Sequence, residues 1–179
     1  MLLTRFTLAG AMMSVILLAG GASAVAKPSV SQLAMAASPM NASAVRNLYA
    51  GRTWKWDTGG GYFSARKGTP WLLSPHTNKF VASTKRGGHW SYAEGVWGTT
   101  VDGQMCMSAR WTSVNQPMSA PAVTCFLHRE KNGVIYQKRA LGGDWYVFQH
   151  NPAQSGDEAG KLVAGDLVSK EVSRRKAGR

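Results

Sequence analysis

Residues 89–111 read HWSYAEGVWGTTVDGQMCMSARW. Side chains of an extended chain alternate between two faces, and Trp90, Tyr92 and Val96 suggest one such face. Gly95 interrupts the run and marks a candidate bulge. Asp102-Gly103 is a strong hairpin signal, because both residue types accept the positive φ of a type I′ turn. A second strand, Met105 to Trp111, follows it. Outward from this hairpin the pattern repeats. Val123 to Leu127 reads as the next partner strand. Asn132-Gly133 turns Phe126–Arg129 into Val134–Arg139. Gly142-Gly143 leads to Trp145-Tyr146-Val147-Phe148, and Leu162-Val163 and Leu167-Val168 flank Gly165-Asp166. Upstream, Thr53 to Trp56 alternates, and Gly59-Gly60-Gly61 breaks the chain before Tyr62-Phe63. Trp71-Leu72-Leu73 is an apolar run ended by Pro75. Phe80 to Thr84 precedes the Gly87-Gly88 turn. The expectation is a single all-β domain of eight or nine short strands, an antiparallel β-barrel or sandwich. Closure into a barrel would remove exposed strand edges.

The chain has 179 residues, enough for one domain with a sizeable core. Four segments are expected: a signal peptide (1–24), a poorly ordered leader (25–44), the β-domain (45–168) and a basic, frayed tail (169–179). Residues 1–24 carry one early cation, Arg5, then an apolar run from Phe6 to Gly20, then small Ala22, Ser23 and Ala24. That is the three-part layout of a secretory signal, with cleavage after Ala24 or, second, Ala26. The run is short for a membrane span of about 20 residues, so an uncleaved anchor is the weaker alternative, and no transmembrane span follows cleavage. The protein is expected in the periplasm or secreted. In the leader, Leu33 to Ala37 fits one short helical turn.

Export changes the reading of the two cysteines, Cys106 and Cys125. An even count in an oxidising compartment points to a structural disulfide. Its loop of roughly 20 residues contributes about 3 kcal/mol in the chain-entropy model. Zinc binding is a poorer alternative, since two cysteines do not complete a site. Redox catalysis is poorer still without a Cys-x-x-Cys pair. No cofactor and no metal is expected.

The formal net charge is +12. A basic exported protein favours acidic partners: an acidic polysaccharide, an anionic lipid or an envelope protein. Nucleic acid fits the charge but not the compartment. A basic surface with no dedicated partner is the plain alternative. Seven tryptophans stand out. Most such rings pack cores, because each buries a large apolar area. As a ligand platform, Trp54 and Trp56 share a face by alternation, and Tyr62 is expected near them. Of the carboxylates, Glu94 sits mid-strand among aromatics, where burial would raise its pKa. It is the one candidate acid or base, with a solvent-facing strand residue as the plainer account. His128-Arg129 would hold an anion, or bond backbone. Neither a His-Glu-x-x-His site nor a Gly-x-Ser-x-Gly elbow occurs, and no catalytic residues are assigned.

Several ordered segments carry a resemblance. They are Leu48 to Trp56, Gly60-Gly61-Tyr62-Phe63, Ala93 to Trp97, Cys106, Trp111, Thr124-Cys125-Phe126, His128-Arg129, Ile135 to Lys138, Trp145 to Phe148 and Lys161 to Val168. Over about Leu48 to Val168 the chain resembles a group of small exported proteins of rhizobia, brucellae and related α-proteobacteria, catalogued as domain of unknown function family 995. The resemblance implies an exported envelope-associated protein without an established activity. Lys67 to Arg86 departs from the pattern, being long and basic. Gly51-x-x-Trp54 is also similar to the Gly-x-Trp of lipocalin-like barrels, with one residue more in the spacing; this bears on fold alone.

Function is therefore expected to be noncatalytic: an exported envelope protein binding an acidic glycan, a lipid or a partner protein through a basic surface or barrel cleft. The alternatives are an enzyme acting on cell-wall or extracellular polysaccharide through Glu94, and a secreted factor acting on host or competing cells.

Overall fold

The structure, a computed structural model, describes residues 26–67, 78–113 and 116–177. The signal-like segment and the Trp71-Leu72-Leu73 run lie outside them. The described chain orders as α1 (Val30–Met35), β1 (Ser38–Pro39), α2 (Ala42–Tyr49), β2 (Arg52–Trp56), β3 (Gly59–Lys67), β4 (Asn78–Arg86), β5 (His89–Thr99), β6 (Gln104–Ser113), β7 (Ala122–Lys131), β8 (Val134–Arg139), β9 (Tyr146–Gln149), a 3₁₀ turn (Glu158–Lys161), β10 (Leu162–Ala164) and α3 (Ser169–Ala177).

One antiparallel sheet runs β10-β2-β3-β4-β5-β6-β7-β8-β9, with β1 paired to β7. It curls into a half-barrel, not a two-sheet sandwich. The edges β9 and β10 are short and do not pair, and the 3₁₀ turn between them contacts both and β2. Short, covered edges are one way to avoid intermolecular pairing. Three turns form where their residues predict: Gly87-Gly88 at φ +53° and +84°, Asn132-Gly133 at +54° and +79°, and Asp102-Gly103, where only Gly103 takes a positive φ (+80°), so the turn is not the two-residue type I′. Cys106 and Cys125 stand directly opposite each other on β6 and β7, Cα atoms 4.1 Å apart, and form the disulfide.

Two glycine expectations are corrected. Gly59-Gly60-Gly61 does not break the chain but opens β3, paired to both β2 and β4. Gly95 is not a bulge, since the register through it is unbroken on both sides. The reason is close approach: a Cβ on Gly95 would lie 1.9 Å from the Ser108 carbonyl oxygen. Glycine here lets the sheet coil tightly enough to close around its core.

The inner face holds the main core, including Phe63, Phe80, Trp97, Met105 and Phe148. Helix α2, capped by Asn41 Oδ1 on the Ala44 amide (2.8 Å), adds Val45 and Tyr49 to it. It touches β2, β5 and β6, and so stoppers the end of the half-barrel where the Gly103 turn lies. The poorly ordered leader expected before residue 45 is instead structured. Ser29 and Gln32 form a capping box on α1, and Ala34 and Ala37 are buried against Tyr136. The tail also differs from the expected frayed segment. Asp166 Oδ1 accepts from the Val168 and Ser169 amides at the start of α3 (3.0 and 2.9 Å), and Val168 and Val172 pack on Tyr62 and Tyr92 of the outer face.

Candidate binding cleft

The two ends of the half-barrel differ in chemistry. At the stoppered end lies a buried polar chain. The Tyr146 hydroxyl donates to Gln137 Oε1. Gln137 Nε2 donates to the Tyr49 hydroxyl (2.6 Å) and lies 2.6 Å from His128 Nε2. The Tyr49 hydroxyl donates to the same His128 Nε2 (2.8 Å). His128 Nδ1 lies 3.1 Å from the Gly103 carbonyl oxygen. That oxygen can only accept, so the proton sits on Nδ1 and Nε2 is the acceptor. Burial pushes the His128 pKa down to about 4, which keeps the ring neutral. Burial raises both phenols, Tyr49 well above its ordinary value, and the Glu158 charge adds to the rise at Tyr146. Each group therefore stays in the protonation state that its partners need, and the chain is a satisfied structural network.

At the other end the inner face is apolar. Trp56, Phe63, Phe80, Met107, Ala109 and Trp111 line a cleft of about 110 Å³, completed by Ala122 and Thr124 of β7. Strand alternation puts these side chains on one face. Gly61 leaves room for the Phe80 ring, which a Cβ there would meet at 2.8 Å. Trp56 is held by its indole N–H on Thr84 Oγ1 (3.3 Å). The cleft is well below the size of a site that encloses a whole drug-sized ligand, so it suits the end of an alkyl chain and not a whole lipid.

The structure brings only part of the expected site residues together. Trp54 and Trp56 do share the inner face. Trp56 walls the cleft, whereas Trp54 sits deeper, its ring centroid 5.8 Å from Tyr49 and 5.3 Å from Phe126. The Trp54 indole N–H donates to Glu158 Oε1 (2.7 Å). Tyr62 is opposite Thr53 and points to the outer face, under α3, away from both tryptophans. Glu94 also lies outside, where its Oε2 accepts from Lys176 Nζ (2.8 Å). Its side chain is 37% exposed, so Glu94 is a solvent-facing strand residue and not a sequestered acid. His128 and Arg129 point to opposite faces and form no joint anion site. Arg129 donates to the Met35 and Ala37 carbonyls (3.0 and 3.1 Å), tying down the end of α1, and stacks 5.7 Å from the Trp145 ring centroid.

Sequence reasoning missed Met107, Ala109 and Phe80 as cleft residues and Tyr49, Gln137 and Tyr146 as a network. For the cleft a signal existed: residues 107, 109 and 111 alternate with the charged and hydroxylic Ser108 and Arg110. For Gln137, a polar residue inside a strand between Tyr136 and Lys138, none did.

No curated protein and no solved structure matches this chain. A family model described as "Protein of unknown function (DUF995)" matches residues 15–168. The match spans the half-barrel, the cleft and the buried network alike, and the chain belongs to the DUF995 family.

Proposed function

We propose that this chain is an exported protein of the bacterial envelope, periplasmic or secreted, that binds without catalysis. Its half-barrel holds the apolar end of an anionic amphiphile such as a fatty acid or lipid. The observation that carries this reading is the apolar cleft with aromatic walls, set opposite an end stoppered by α2. Preformed apolar clefts with few polar groups are the usual form of small-ligand sites. The net charge of +12 supports an acidic head group. The signal-like N-terminus and the disulfide support export. The enzyme alternative draws little from Glu94, which is already engaged by Lys176.

Dodecanoate binding by calorimetry tests the reading, using the wild type and Ala122→Trp. Ala122 is exposed at the cleft wall, so the larger ring fills the cleft with little cost to folding. The expected result is saturable binding by the wild type and at least a tenfold loss in the variant, with similar melting temperatures. No binding by the wild type, or equal binding by both, overturns it. Fractionation with N-terminal sequencing tests export, with a mature start at Val25 or Lys27 expected.

A further inference from the structure

The concave face of the half-barrel carries a cation beside the apolar cleft. We propose that Arg139 seats the carboxylate of a fatty acid whose tail end lies in that cleft, and so sets the preference for an anionic head. The inference rests on the cleft reading above and names the residue that gives it charge selectivity.

Three observations carry this. First, register puts Arg139 on the inner face. The inner row of β8 is Ile135, Gln137 and Arg139. Ile135 belongs to the main core, Gln137 to the buried network, and Arg139 stands directly opposite Phe126. The Phe126 ring packs 5.3 Å from that of Trp54, inside the half-barrel. Thr124, two residues before Phe126, is a wall of the cleft. Diagonal neighbours of this kind on paired strands stand about 7–8 Å apart, within reach of a long side chain.

Second, the guanidinium is free to bind. Arg139 is exposed and forms no hydrogen bond or ion pair with any described residue. Glu158, which accepts from the Trp54 indole on Oε1 (2.7 Å), is neutralised by Lys161 on Oε2 (2.7 Å). Arg129, by contrast, is tied to the Met35 and Ala37 carbonyls. The planar fork of a guanidinium matches the two oxygens of a carboxylate. One guanidinium balances one negative charge, which suits a fatty acid better than a doubly charged phosphate.

Third, an apolar surface joins the cleft to the cation. Strand pairing continues past Arg139, with the Ala140 amide on the Cys125 carbonyl (2.9 Å), and carries Leu141 toward Thr124. Leu141 is 85% exposed. An alkyl chain leaving the cleft over Thr124 would cover it, and removing that side chain from water favours binding. An apolar site with one placed polar group fixes which end of the ligand enters.

The test is titration of the full chain with dodecanoate and with dodecanol, the neutral probe of equal length, followed by tryptophan fluorescence. The wild type should bind dodecanoate at least tenfold tighter than dodecanol. Arg139→Gln should weaken dodecanoate at least tenfold and leave dodecanol and the melting temperature unchanged. Lys131→Gln removes the same charge from an exposed residue at the stoppered end, and should change neither affinity. Equal wild-type binding of the two probes overturns the proposal and leaves the cleft standing. So does an Arg139→Gln protein that still prefers dodecanoate. An equal loss in Lys131→Gln also overturns it, since that is the signature of diffuse charge attraction. If neither probe saturates, the cleft reading falls and this proposal falls with it.

Discussion

The two ends of the half-barrel are built from the same strands and do opposite things. At the stoppered end, Tyr49, His128 and Gln137 are wholly buried and bonded to one another, and five aromatic or imidazole rings surround Tyr49. At the open end, Trp56 and Trp111 are only half-buried and enclose space. The difference teaches where stability and binding reside. A satisfied polar network under a helix is rigid because each member fixes the next. An apolar cleft has no such directional ties, so it can accept a ligand and be altered without unfolding the domain.

The largest effect is expected at Tyr49. Tyr49→Ala removes a ring of zero exposure and leaves His128 and Gln137 short of partners. It should cost about 4 kcal/mol in denaturant unfolding. A loss below about 1 kcal/mol would show that α2 does not stopper this end.

Acid should find the same end. His128 is held neutral when folded, with a pKa of about 4 against an ordinary value of 6.5. The unfolded chain therefore binds more protons between those values. Stability from this group is complete above about pH 6.5 and falls as pH drops, levelling below about pH 4. The loss should reach roughly 3 kcal/mol, at about 1.4 kcal/mol for each tenfold difference in proton affinity between the folded and unfolded chain. Chemical denaturation at pH 7, 5.5 and 4 measures it, and a flat profile would contradict the neutral buried ring.

At the open end the sign of the contrast reverses. Trp111→Ala should cost less than about 2 kcal/mol, because the ring is only half-buried. It should still weaken dodecanoate at least tenfold. A variant that unfolds instead would place Trp111 in the core proper. Smallest of all, Glu94→Gln removes an exposed pair with Lys176. It should change stability by no more than about 0.5 kcal/mol and leave dodecanoate binding intact, which calorimetry checks.

Much of the fold was legible in the sequence because turns report themselves locally. Asp102-Gly103, Asn132-Gly133 and Gly87-Gly88 are turn residues for a steric reason, and all three turn here. The cysteine pair follows from the strands those turns connect. The face that each strand buries was not legible. Alternation places Trp90, Tyr92 and Glu94 on a common side of their strand but does not say that this side is the outer one. In a single curled sheet with α3 on part of its outside, both faces carry aromatics, so Tyr62 and Trp90 read like core. Helix α3 was hidden for a related reason. It has one buried residue of its own, Val172, and is held through Arg175 on Trp90 and Lys176 on Glu94. Those contacts lie about 80 residues away in the chain. Gly95 misled because glycine signals both bulges and close approach, and only the neighbouring strand decides which.

The most direct test of the contrast between the ends uses the tryptophan indole N–H resonances during titration with dodecanoate. Trp56 and Trp111 border the cleft, whereas Trp54 is bonded to Glu158 and Trp97 to the Ser64 carbonyl in the packed interior. Saturable shifts are expected at Trp56 and Trp111, with Trp54 and Trp97 unmoved. Shifts centred on Trp54 and Trp97, or no shift at any of the four, would contradict an open apolar end set against a packed polar one.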